Sequence, residues 1–267
     1  FDATERLALM DQAIQRLPEG DRHHVELARV LLRGQLLDWE TAHRELQAVL
    51  ERYDHCRGEP QWVHYLENVQ DAVDESAGWQ RKARGDVTGT LEIANAMLAR
   101  GALHGGALVM RGWALRMSNQ LSASEASLRA AITLPKHSGF TYSEWSLTLL
   151  AQGRHREAEQ ALVDGLLDVH AKPGLPTRSG LELLAAIWEA ERNLGAIRAT
   201  MVRLRRDLAR EAEFWAFAAR VHVRLGERAE GLQALRQAIR LGLPTPRQQE
   251  VLADYGLSLA DWALVAG

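Results

Sequence analysis

The sequence predicts an all-α protein built from antiparallel helix pairs. Apolar residues recur at steps of three and four along nearly the whole chain. No stretch alternates apolar and polar residues cleanly over five or more positions, so strand signals are missing. All seven prolines fall in or beside the intervals between apolar runs, where the lost N–H and the ring clash do no harm to a helix.

The first helix is predicted over 5–17, with Leu7, Met10, Ile14 and Leu17 on one face, closed by Pro18 and Gly20. Val25, Leu27, Ala28, Leu31 and Leu32 mark a second that ends near Gly34. Trp39, Ala42, Leu46, Val49 and Leu50 mark a third, ending before Gly58 and Pro60. Helical periodicity then covers 61–82, 88–100, 107–118, 122–134, 141–152 and 155–169. It resumes over 180–193, 196–210, 213–225, 228–241 and 246–254. Ser258 and Asp261 read as a capping box that opens a last short turn of helix. The irregular stretch from Ala171 to Gly180, with two prolines and two glycines, reads as an enlarged loop inside one continuous array.

Composition narrows the function classes. The chain has 267 residues, 32 basic and 35 acidic, for a net charge of −3. That balance excludes a basic footprint over the whole molecule, and nucleic acid is not expected as a partner. Only Lys82, Lys136 and Lys172 are lysine, so the other basic residues are arginine, a bias typical of GC-rich bacterial genomes. One cysteine, Cys56, excludes an intrachain disulfide and a multi-cysteine zinc site. No apolar run approaches the roughly 18 residues of a membrane span. Opening at Phe1 without Met, the sequence is expected to be a processed form or a piece of a longer chain, and either bacterial cytoplasm or periplasm fits it.

A fixed period lies under the helical rhythm. When 140–173 is laid beside 213–244, Ser146, Gly153, Ala158 and Leu162 match Ala219, Gly226, Gly231 and Leu235. Gly112, Asn119, Ser124 and Leu128 repeat the same offsets, and Asn119 lies 34 residues before Gly153. Large residues (Tyr142, Trp215) stand early in the first helix of a pair, a Gly or Asn closes it, and proline follows the second. On these residues the chain resembles the tetratricopeptide-repeat family, well over 105–170 and 212–244. The likeness is looser over 181–211, where Trp188 stands at a position expected to be small, and weakest over 1–100. The resemblance implies a right-handed α-solenoid with divergent helix pairs over 1–104, repeats over 105–244 and capping helices over 245–267.

The resemblance also implies a non-enzymatic scaffold that binds a protein or peptide in a concave groove, with no cofactor. Carried over by position, the groove takes Val109, Trp113, Arg116 and Met117 from one helix. It takes Phe140, Ser143, Leu147 and Leu150 from the next, and Glu213, Ala216, Arg220 and Arg224 from a later one. Its arginines imply a guest that carries acidic groups.

Competing chemistry is weaker. His-Glu-x-x-His, a Gly-rich loop ending in Lys-Ser/Thr and Gly-x-Ser-x-Gly do not occur, so no catalytic residue is assigned. His23, His24, His43, His55, Cys56 and His64 could form a metal site of an enzyme or sensor, but read more simply as capping and surface residues. Trp62, Trp145 and Trp215 are expected in the core, with Trp39, Trp79 and Trp262 as candidates for an assembly surface. Arg203, Arg205, Arg206 and Arg210 are interleaved with Asp207, Glu211 and Glu213, which predicts pairing along the helix rather than a phosphate patch. A subunit of a bacterial secretion or exopolysaccharide-export machine is the alternative scaffold role.

Overall fold

The computed structural model describes residues 3–18, 22–36, 38–54, 60–101, 104–171, 174–191 and 194–266. Among them every regular element is helical, and each helix expected from the periodicity is present. The chain divides into two compact units, 1–127 and 128–267. His55 and Cys56 lie outside the described residues, as do the side chains of Trp62 and His64.

The first unit runs α1 (Ala3–Arg16), α2 (Arg22–Leu36), α3 (Trp39–Arg52), α4 (Pro60–Ala83), α5 (Val87–Ala99) and α6 (Gly105–Met117) into α7 (Leu121–Ile132), whose last turns belong to the second unit. Helix α3 starts where Asp38, in extended backbone, accepts hydrogen bonds from the N–H groups of Glu40 and Thr41 at 3.2 and 3.3 Å. Burial pushes the Asp38 carboxyl up, but these bonds and the Thr41 hydroxyl outweigh it and hold its pKa below the ordinary value. Helix α4 is long because it serves two clusters. Leu66, Val69 and Val73 close on Leu27 and Val30 of α2 and on Leu46 and Val49 of α3. One turn further, Ala77 joins Ile93, Ala94 and Met97 of α5 and Met110 of α6. Fully burying each of the larger side chains contributes about 1.5–3 kcal/mol.

In the second unit follow α8 (Phe140–Ala151), α9 (His155–Leu167), α10 (Thr177–Glu191), α11 (Leu194–Leu208), α12 (Ala212–Arg224), α13 (Arg228–Arg240), α14 (Thr245–Asp254) and α15 (Leu259–Ala266). The residues matched by offset prove to be the joints of the hairpins. Asn119, Gly153 and Gly226 have φ of 58°, 74° and 77°, the left-handed conformation that ends a helix and reverses the chain. The same turn occurs at Gly85, again 34 residues before Asn119. At the small positions, backbones come close enough for a hydroxyl of one helix to reach a carbonyl of another. Ser124 Oγ donates to Gly112 O at 2.7 Å, Ser146 Oγ to Ala158 O at 3.0 Å, and Tyr255 Oη to Ala219 O at 2.7 Å beside Gly231.

Trp188, at the position expected to be small, is fully buried with its ring centroid 5.7 Å from that of Phe217. Trp145 and Trp215 pack against the core, as expected. Trp262 corrects the assembly-surface expectation, since it is buried among Val251, Leu252 and Tyr255 where α15 closes the unit. Trp39 is half-buried against both clusters of the first unit.

The enlarged loop after α9 is sewn to the connection before α8. His137 sits with Nδ1 2.8 Å from Leu134 O and Nε2 2.7 Å from Asp168 Oδ2. Both partners accept only, so the ring satisfies both when each nitrogen carries a proton. Tyr142 Oη donates to the same Asp168 oxygen at 2.7 Å, and the His170 N–H to Oδ1 at 2.8 Å. Burial alone would lower the His137 pKa and raise that of Asp168. The hydrogen bonds reverse both, lifting His137 above its ordinary value and holding Asp168 at about 2. Beside this cluster Gly139 abuts the loop backbone so closely that an added Cβ would lie 1.8 Å from Leu175 N.

Two outcomes follow from that seam. Replacing Gly139 with Ala forces backbone against backbone and should destabilise the protein by about 2–3 kcal/mol in urea unfolding. The His137 contribution is complete below its unfolded pKa of about 6.5 and is lost as pH rises through the raised folded value. The Asp168 contribution is complete above about 3.9 and is lost as pH falls toward 2. Urea midpoints should therefore fall between pH 6 and pH 8 in the native protein and vary less in His137→Gln.

Candidate functional site

Helices α10 and α12 face each other with matched quartets. Glu182, Ala185, Ala186 and Glu189 recur at i, i+3, i+4 and i+7 on α10, and Phe217, Arg220, Val221 and Arg224 do so on α12. Together they line a cleft of about 220 Å³. On α10 two alanines stand between two glutamates, and on α12 Phe217 and Val221 alternate with Arg220 and Arg224. The floor is therefore Ala185, Phe217 and Val221, with charge around the rim.

That rim is neutralised from within. Arg224 pairs with Glu189, and Arg220 Nε meets Asp254 Oδ2 of α14 at 2.6 Å. Glu182 is held by Arg178 at 2.9 Å and approached by Arg247 at 3.7 Å. Arg247, itself buried, binds Glu213 at 3.0 Å and also Glu250. Burial disfavours the Arg247 charge, but the carboxylates outweigh it and raise its pKa further.

The residues expected to line a groove are placed as follows. Arg220 and Arg224 share the α10–α12 cleft. Ala216 is buried in the core beneath α12, and Glu213 serves Arg247. On α8, Phe140 is 46% exposed at the first turn, Ser143 and Leu147 are half-buried, and Leu150 packs against the core. In the first unit Val109 is buried and Met117 is 53% exposed, with Arg116 Nη1 3.8 Å from the Met117 sulfur. Trp113 is only 8% exposed, and Lys82 Nζ stands 5.5 Å from its ring centroid and 5.4 Å from that of Trp79.

Sequence reasoning missed the α10 side of the cleft. Its i, i+3, i+4, i+7 set was visible, but it lies within 181–211, where the likeness to the repeat is looser. Helix α11 also departs from expectation. Arg203 reaches across to Gln160 at 2.9 Å and Asp164 at 3.3 Å on α9, and Arg205 lies 5.1 Å from the centroid of Trp215. Among the described residues α11 has no i,i+4 ion pair, because packing on α9 and α12 turns these two guanidinium groups toward its neighbours.

In the histidine-rich start of the chain, the described residues His23, His24 and His43 take separate local roles. His23 is tilted by 51° against His24 with centroids 4.0 Å apart and lies edge-on to Tyr53, while His43 Nδ1 meets the buried Asp74 at 2.7 Å. Among the described residues no three His, Cys, Asp or Glu side chains converge as metal ligands, and no helix is long and apolar enough to cross a membrane.

No protein-family model matches the chain, and no curated protein matches it in sequence. Among solved structures it is similar to a tetratricopeptide repeat protein from Parabacteroides merdae, at 12% identity over 96% of this chain and 93% of that one, with a TM-score of 0.53. It is also similar to PilF of Pseudomonas aeruginosa, at 15% identity over 87% and 97% of the two chains, with a TM-score of 0.50. At these identities the likeness is one of fold. In fold, the chain is a tetratricopeptide-repeat-like α-helical repeat protein.

The covered ring of Trp113 has a measurable consequence. Trp113→Ala should lower stability by about 3–5 kcal/mol in chemical unfolding, the loss expected for a large core side chain.

Proposed function

We propose that this protein is a non-enzymatic interaction scaffold whose α10–α12 cleft seats an apolar side chain of a protein or peptide partner. The observation that carries this reading is the pair of facing quartets, with an open apolar floor bounded by charges that are already paired. A volume near 220 Å³ suits one anchoring side chain rather than a whole small-molecule ligand, for which pockets of roughly 300–1,000 Å³ are usual. Such anchors in desolvated pockets carry much of the energy of protein interfaces. The cleft is formed by packed helices, so little ordering entropy is lost on binding.

An acidic guest gains little here. A carboxylate approaching Arg220 or Arg224 must first displace Asp254 or Glu189, exchanging one exposed ion pair for another of similar small worth. The groove is therefore selective for shape and apolar area, with Arg220 and Arg224 framing the entrance. Among the remaining positions that the resemblance implies in this unit, the exposed Phe140 would extend the contact beyond the anchor.

Ala186 lies exposed on the cleft wall, so Ala186→Arg should fill the cleft without touching the core. Panning a phage-displayed peptide library should enrich sequences sharing a large apolar residue on the native protein. Those peptides should bind Ala186→Arg at least about tenfold more weakly at an unchanged unfolding midpoint. Failure of the native protein to enrich such peptides, or equal binding by the variant, rejects the cleft.

A further inference from the structure

The other side of α12 faces a second cavity. Trp215 and His222, seven residues apart, lie on one face of the helix, and Phe217, Arg220, Val221 and Arg224 lie on the opposite one. With Arg205 of α11 and Arg236, Arg240 and the two glutamines of α13, Trp215 and His222 enclose about 850 Å³. Three guanidinium groups line it against one carboxylate, Glu230, while His222 Nδ1 is engaged by Glu227 at 2.7 Å.

Most guanidinium groups elsewhere in this unit end on a carboxylate, as in Arg154–Glu157, Arg178–Glu182, Arg203–Asp164 and Arg220–Asp254. Among the described residues Arg205 and Arg240 have no carboxylate partner. Arg205 is instead laid on Trp215, whose indole N–H is anchored to Ala209 O at 2.8 Å. The aromatic platform orders the guanidinium plane in advance and leaves its N–H edge to be satisfied from outside.

We propose that this cavity is a second binding site, for an acidic peptide segment of a partner protein. Its carboxylates would pair with Arg205 and Arg240, and Gln233 and Gln237, one turn apart on α13, would donate to and accept from its backbone. The cavity is large enough for several residues of extended chain. A nucleic acid fits it less well. Arg205 occupies a face of Trp215 that a base would need for stacking, and the chain's net charge of −3 supplies no field to draw in a polyanion. The acidic partner expected from the sequence is thereby assigned to the opposite side of α12 from the cleft.

The test uses a fluorescein-labelled decapeptide of alternating Glu and Ala, with binding read by anisotropy in about 0.1 M salt. The native protein should bind it, and Arg205→Glu/Arg240→Glu should bind at least about tenfold more weakly. Arg240→Glu alone, which leaves the Trp215 platform intact, should also weaken binding. A control with the same charge change on exposed residues elsewhere in the unit, Lys136→Glu/Arg156→Glu, should stay within about twofold, as should Ala186→Arg. Lack of binding by the native protein overturns the proposal, as does an equal loss in the control. Weakened binding by Ala186→Arg would place the peptide in the cleft and also overturn it. So would tighter binding of a labelled deca-deoxythymidine than of the peptide, which would make the site one for single-stranded nucleic acid.

Discussion

Close approach of paired helices at small residues is the constraint on which the rest of this structure depends. Where Gly112, Ser146 or Ala219 faces the next helix, backbones come near enough for a serine or tyrosine hydroxyl to reach a carbonyl across the gap. Each such bond satisfies a polar group that burial would otherwise leave wanting, and it fixes the register of one helix against the other. The left-handed turn residues follow from this, because a hairpin so tight must reverse its chain within a few residues. An apolar face that one hairpin cannot bury alone is then covered by its neighbour, as Trp188 of α10 is by Phe217 of α12.

Long connections in such an array endanger its regularity, and here the longest is tied down by specific chemistry. The loop after α9 is held by an imidazole with acceptors at both nitrogens, a shared carboxylate and a glycine that lets two backbones touch. Buried charge is tolerated there because every partner is present, and removing one would leave another unsatisfied.

Helix α12 divides its chemistry between two sides. Toward α10 its arginines are matched with carboxylates and frame an apolar floor. Toward α11 and α13 it offers a tryptophan that supports an arginine without a carboxylate. The same residue type thus has opposite consequences within one unit. A paired guanidinium closes a cleft to charge, and an unpaired one invites it.

Much of the architecture was legible in the sequence because helix periodicity, proline placement and turn residues are local signals. The offsets linking Gly112, Asn119 and Ser124 to Ser146, Gly153 and Ala158 mark the joints in the residue order itself. The arginines of α12 were likewise visible as candidates. What residue order could not reveal was which partner each side chain meets. Glu189 and Asp254 are 35 and 34 residues from the arginines they neutralise, Lys82 is 31 from the tryptophan it covers, and Arg205 lies on an aromatic ring from the following helix. Pairing across such separations depends on how helices rotate about their axes as they pack. That rotation is set by the fit of many side chains at once, so only the tertiary structure decided which charges are spent inside the fold and which remain available for a partner.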